Sequence, residues 1–169
     1  MLDRPNPLGF YVDGPILDMK YKSGVGWLPI PIVHGMTLGE LALMINGEKW
    51  LKDGAQCDLT VVPCRNYTRD MKYRLPIKPS PNLPNMRSIY LYPSICFFEA
   101  TPVSLGRGTD GPFQLFGHPN MKGYDFKFTP RSVPGAKNPP QLDRECQGID
   151  LRYSKSLAEI NEKGNYTTL

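Results

Sequence analysis

Proline and glycine recur along the whole of this chain and limit how far any helix or strand can run. There are 18 Pro and 16 Gly in 169 residues. They are spread out rather than clustered, which predicts short elements joined by irregular loops, not a disordered tract. Hydrophobic residues make up 40% and charged residues 21%. That is enough apolar material for a core and too little charge for a chain that stays unfolded. The length suits one ordinary domain or parts of two.

Several functional classes lose support at once. The net charge is +4, with the basic residues scattered and no repeated basic-aromatic platform, so no nucleic acid partner is expected. No apolar stretch approaches membrane-spanning length, so the chain is expected not to span a membrane. The opening residues lack the apolar segment of a signal peptide. The cysteines, at 57, 64, 96 and 146, include no C-x-x-C pair. An extended strand over 57–64 would hold its ends roughly 20 Å apart, beyond disulfide reach, so buried free thiols are expected. His34 and His118 have no ligand spacing to a cysteine; no metal site and no cofactor is expected. Phosphate-loop, nucleophile-elbow and dinucleotide-binding motifs are missing.

The coarse pattern is α/β. Thr37 followed by Glu40 is a capping box. Leu38, Leu41, Ala42 and Ile45 then make an apolar face, with Gly47 as a stop. Pro29-Ile30-Pro31-Ile32-Val33 suits an edge strand, since its prolines exclude a central one. Residues 57–62 read as a buried strand closed by Pro63, and 95–98 as a short strand ending on Glu99. A short helix is expected over 85–91 and a strand over 113–116. Alternation over 124–128 predicts a half-exposed strand, 148–153 another, and Ser156 with Glu159 a final short helix. A change of character near 120–124 predicts one domain over 1–122 and the beginning of a second over 123–169.

Candidate functional residues cluster around Glu99. An acid at a strand's carboxyl end, with Arg107 between two glycines close behind, can form a site for a polar, anionic ligand. A solvated strand end and a surface arginine is the competing reading. His34 precedes a helix N-terminus, where free N–H groups attract anions, or it is bonded locally in a turn. Arg4, beside Asp3, faces a cleft or pairs with its neighbour. Asn82 is a sugar-binding amide or a turn residue. Glu40 is assigned to the capping box.

Several strings, taken together, resemble one family. They are Leu2-Asp3-Arg4-Pro5-Asn6-Pro7, Asp13-Gly14-Pro15, the run from Ile32 through His34-Gly35-Met36-Thr37 to Leu41, and the run from Cys57 to Pro63. Pro79-Ser80-Pro81-Asn82, Leu91-Tyr92-Pro93 and the run from Glu99 to Thr109 complete the set. The family is the exo-β-N-acetylmuramidases of the NamZ type. The resemblance implies a Rossmann-like α/β N-terminal domain, of which this chain holds the C-terminal part, followed by the start of a smaller α+β domain. It implies release of terminal N-acetylmuramic acid from non-reducing ends of peptidoglycan fragments, with muropeptides or disaccharides as partners and a periplasmic or secreted location. The family's favoured catalytic glutamate lies in an upstream Pro-Glu-His-Gly motif. That motif is missing here, so the chain is expected to be a fragment, inactive alone. Glu99, with apolar neighbours favouring its neutral form, is a candidate for one of the two carboxyl groups of a glycosidase. Arg107 would meet the lactyl carboxylate of muramic acid, and Arg4, His34, Asn82 and Thr109 are the remaining substrate-binding candidates. The alternative is a non-catalytic module that binds wall sugars.

Overall fold

The computed structural model describes residues 1–154, which fall into two compact units, Met1–Arg74 and a second that begins at Leu75. The architecture is mixed α/β, with small sheets and few helices. The helix expected after Ser156 lies outside the described residues.

In the first unit, β1 (Asp13–Ile16) and β2 (Pro31–Val33) pair antiparallel, with an irregularity between Asp13 and Ile16. Helix α1 (Leu38–Gly47) forms where the capping box places it. The Thr37 hydroxyl accepts from the Glu40 N–H at 3.2 Å, and Glu40 Oε2 accepts from the Thr37 N–H at 2.9 Å. Two orphan donors of the first turn are thereby satisfied. Leu38, expected on the apolar face, is exposed. The strand expected over 57–62 reduces to one parallel bridge, Leu2 to Val62. It is built from the Asp3 N–H to the Val62 carbonyl at 3.0 Å and the Val62 N–H to the Met1 carbonyl at 2.9 Å. Cys57 is exposed, because its backbone is drawn to the Asn46 side-chain amide through two hydrogen bonds.

In the second unit, α2 (Met86–Ile95) starts at Asn85, whose side chain accepts from the Ser88 N–H at 3.0 Å. The helix runs through Pro93, past the end expected at residue 91. The residues read as a strand ending on Glu99 are instead the last turn of α2 and a 3-10 turn over Cys96–Ala100. A four-residue apolar run does not distinguish strand from buried helix, and the helical frame set at Asn85 carries through it. Leu91 and Ile95 of α2 pack with Leu105, Phe113 and Leu151 into the core of this unit. Each such side chain stabilises by about 1.5–3 kcal/mol on burial.

The sheet of this unit has the order β3 (Leu115–His118), β5 (Cys146–Asp150), β4 (Phe126–Phe128), all antiparallel. β3 finds its hydrogen-bond partners in β5, so residues on both sides of 122/123 share this sheet. The four cysteines are free: Cys146 is buried, Cys64 and Cys96 are half-buried, and Cys57 is exposed.

Candidate functional site

A cleft of about 360 Å³ opens in the first unit, beside the parallel bridge and the start of α1. Asp3, Thr37, Glu40, Cys64, Tyr67 and Arg69 are among its lining residues. Asp3 leaves the bridge with its carboxylate aimed at the helix N-terminus. It accepts from the Gly39 N–H at 2.8 Å and the Arg4 N–H at 2.7 Å. Burial alone would push its carboxyl up. The Gly39 N–H, the Thr37 hydroxyl, the Arg4 N–H and the Arg4 charge outweigh this and hold it below its ordinary range. Partial positive charge at a helix N-terminus favours an anion there. Glu40 Oε1 pairs with Arg69 Nη2 at 2.7 Å, and Arg69 Nη1 donates to the Gly35 carbonyl at 2.9 Å.

Arg4 is exposed and returns a guanidinium hydrogen bond to the Asp3 carbonyl at 2.8 Å. The reading in which it pairs with its neighbour is therefore met. His34 also engages locally, its Nδ1 accepting from the Met36 N–H at 3.1 Å. Burial lowers its imidazole below the ordinary value of 6.5, which favours the neutral ring with the proton on Nε2.

In the second unit the structure brings Glu99 and Arg107 together. Arg107 Nη2 donates to Glu99 Oε2 at 2.8 Å, and both side chains keep about a third of their surface exposed, 32% and 34%. The turn that carries Arg107 is fixed at several points. Gly106 and Gly108 have φ of 78° and 80°, a region open to glycine at no steric cost. A Cβ on Gly106 would strike the Gly111 carbonyl oxygen, and one on Gly108 the Arg131 carbonyl oxygen. Paired bonds between Ser104 and Gly117 and the Arg131 N–H to Gly108 carbonyl bond hold the loop down. The Arg107 guanidinium lies 4.7 Å from the centroid of the Phe113 ring, within cation–π range. Phe113 is 1% exposed, yet its φ is 55°. A bulky residue in that region is strained and is held there by its surroundings.

Tyr92 completes the group. Its ring meets Phe113 edge-on at 4.9 Å, and its hydroxyl lies within electrostatic range of the Glu99 carboxylate. Burial first, then the Glu99 charge, raises the phenol of Tyr92. Glu99 thus sits at the end of a helical segment against a guanidinium and a phenol, not at a strand end among apolar neighbours.

Asn82 and Thr109 are occupied by the fold. Asn82 is buried and its Nδ2 donates to the Gly135 carbonyl at 3.1 Å. The Thr109 hydroxyl donates to the Gly106 carbonyl at 2.6 Å and accepts from the Gly111 N–H at 3.0 Å, so it closes the arginine turn. Sequence reasoning missed Phe113 and Arg69 as site residues and assigned Tyr92 no role of its own. The Leu-Tyr-Pro string signalled Tyr92; nothing local signals a phenylalanine at positive φ.

The fold is that of a mixed α/β protein, with carboxylate–guanidinium pairs at Glu40–Arg69 and Glu99–Arg107. Residues 1–87 match the family model described as exo-β-N-acetylmuramidase NamZ, N-terminal, and residues 90–162 match its C-terminal counterpart. The chain belongs to the NamZ family. It is 44% identical over 167 residues to the peptidoglycan β-N-acetylmuramidase NamZ of Bacillus subtilis (strain 168), covering 89% of this chain and 39% of that protein. A crystal structure of a DUF1343 family protein from Bacteroides fragilis NCTC 9343 superposes with a TM-score of 0.92 at 71% identity, covering 96% of this chain and 46% of that one. A second DUF1343 structure from the same organism gives 0.74 at 28% identity, covering 88% and 42%. The chain therefore spans less than half the length of each of these relatives.

Proposed function

We propose that this chain is part of a glycosidase that releases terminal N-acetylmuramic acid from the non-reducing ends of peptidoglycan fragments. The observation that carries this is the 44% identity to the Bacillus subtilis enzyme, together with family-model matches over both halves of the chain. Muropeptides or muramic-acid-ended disaccharides are the substrates, and the working location is periplasmic or secreted. No helix among the described residues is long and apolar enough to cross a membrane.

The first unit is read as part of a Rossmann-like domain. Support comes from the parallel Leu2–Val62 bridge with α1 lying between its two strands in sequence, the order of a βαβ crossover. The cleft by Asp3, Thr37 and Glu40 lies just past the bridge residues, where ligands bind in open α/β sheets. In the second unit, Arg107 is the proposed contact for the lactyl carboxylate that distinguishes muramic acid from glucosamine.

One observation favours the second reading, a wall-sugar module without catalysis. A general acid must deliver a proton to the leaving oxygen, whereas the Glu99 carboxylate already engages the Arg107 guanidinium. Calorimetric titration of the longer protein that contains this chain with muropeptides, run beside chromatographic detection of released N-acetylmuramic acid, separates the readings. Product release supports the glycosidase and binding without release supports the module. Absence of both signals overturns the two together.

A further inference from the structure

The Glu99–Arg107 pair has two features beyond an ordinary surface ion pair. First, the arginine is preorganised: flanked by two positive-φ glycines, stacked over Phe113, and mounted on a loop pinned at Ser104 and Gly117. The strain at Phe113 places the ring beneath the guanidinium. Second, the pairing uses one terminal nitrogen of the guanidinium and one carboxylate oxygen. A planar fork that could hold a carboxylate with two parallel bonds is engaged through one.

We propose that Glu99 is a resident carboxylate that holds Arg107 in the ligand's absence and gives way to the carboxylate of an N-acetylmuramic acid residue, so that the pair sets selectivity for carboxylated over neutral amino sugars. This rests on the muramic-acid reading above and deepens it. A neutral N-acetylglucosamine offers no anion to replace Glu99 and leaves the pair closed. A lactyl ether carboxylate can take Arg107 in two-pronged fashion while Glu99, a third exposed, turns to water. Glu99 is then a positioning and specificity residue, and Arg107 the residue that touches ligand.

The test is a titration of the full 169-residue chain with N-acetylmuramic acid, D-lactate and N-acetylglucosamine. Binding is followed by calorimetry and by the NMR signal of the Arg107 Nε–H. Glu99→Gln removes the competing charge and keeps the shape. It raises affinity for the two carboxylated probes by roughly three- to fivefold, the range of an exposed charge pair, and leaves N-acetylglucosamine unchanged. Glu99→Asp, with a shorter reach, gives an intermediate rise. Arg107→Ala loses the carboxylated probes selectively, and Glu99→Gln then has no effect in that background. Circular dichroism melts of each variant confirm that folding is intact. The proposal is overturned if Glu99→Gln leaves or lowers carboxylate affinity, or if the Arg107 signal does not move with N-acetylmuramic acid. Absence of product release from the longer protein that contains this chain, with these binding changes intact, would sink the enzymatic reading alone.

Discussion

Replacing Gly39 by alanine should destabilise the first unit, although alanine is the better helix former. Gly39 is buried in the first turn of α1. A Cβ there would sit 2.5 Å from Val61 Cγ1, 2.9 Å from Asp3 Cγ and 3.0 Å from Asp3 Oδ1. The Asp3 carboxylate cannot simply retreat, because the Gly39 and Arg4 N–H groups hold it. Forcing an extra methyl into a packed site costs about 1–3 kcal/mol. Lengthening a charge-assisted hydrogen bond loses about 1.5–3 kcal/mol at most. Helix propensity returns about 1 kcal/mol. The net expectation is a loss of about 2–4 kcal/mol, read as a fall of roughly 10–20 °C in the melting midpoint of a unit this size. Gly47 supplies the control, since it lies in the same helix and a Cβ added to it would meet no atom within 4 Å. Gly47→Ala should be neutral or stabilising by up to about 1 kcal/mol. The measurement is urea unfolding of both variants beside the parent. If Gly39→Ala matched Gly47→Ala in sign, the packing of Asp3 against the start of α1 would be wrong.

The same carboxylate predicts a pH dependence. Its folded value is held below 3.8, so its contribution is fully present above that pH and is lost as pH falls toward the folded value; the stability gap between parent and Asp3→Asn should shrink from about pH 6 to about pH 3, and a constant gap would refute it. His34 should titrate below 6.5 with the neutral ring protonated at Nε2, which ¹⁵N NMR of the imidazole reads directly; an Nδ1–H tautomer would contradict the turn. Asn82→Ala should cost about 0.5–1.5 kcal/mol by removing the hydrogen bond to the exposed Gly135 carbonyl, without a selective loss of sugar affinity. Thr37→Ala should cost about 1 kcal/mol as a lost cap. Arg69→Ala should cost less than that, because its pair with Glu40 is exposed, and chemical denaturation ranks the two.

Local chemistry made part of this protein legible from its residues alone. Thr37 with Glu40 fixed the start of α1, because a cap needs only a hydroxyl and a carboxylate three residues apart. The prolines marked Pro29 to Val33 as edge strand, of which Pro31–Val33 forms β2, and alternation marked β4. The strings from Leu2 to Thr109 led to the NamZ family, which the family-model matches over both halves of the chain then established.

Other features depend on partners far away in sequence. The apolar run before Glu99 carries no period long enough to separate strand from helix, so the frame begun at Asn85 and the packing of Ile95 on Leu105, Phe113 and Leu151 decided it. Asn82 and Thr109 read as free polar groups until Gly135, Gly106 and Gly111 claimed them. Sequence placed Glu99 and Arg107 eight positions apart and gave each a charge. Tertiary structure decided that they bond to one another over Phe113, because that geometry comes from a strained backbone torsion and a loop tied at Ser104 and Gly117, and neither is written in any short stretch of residues.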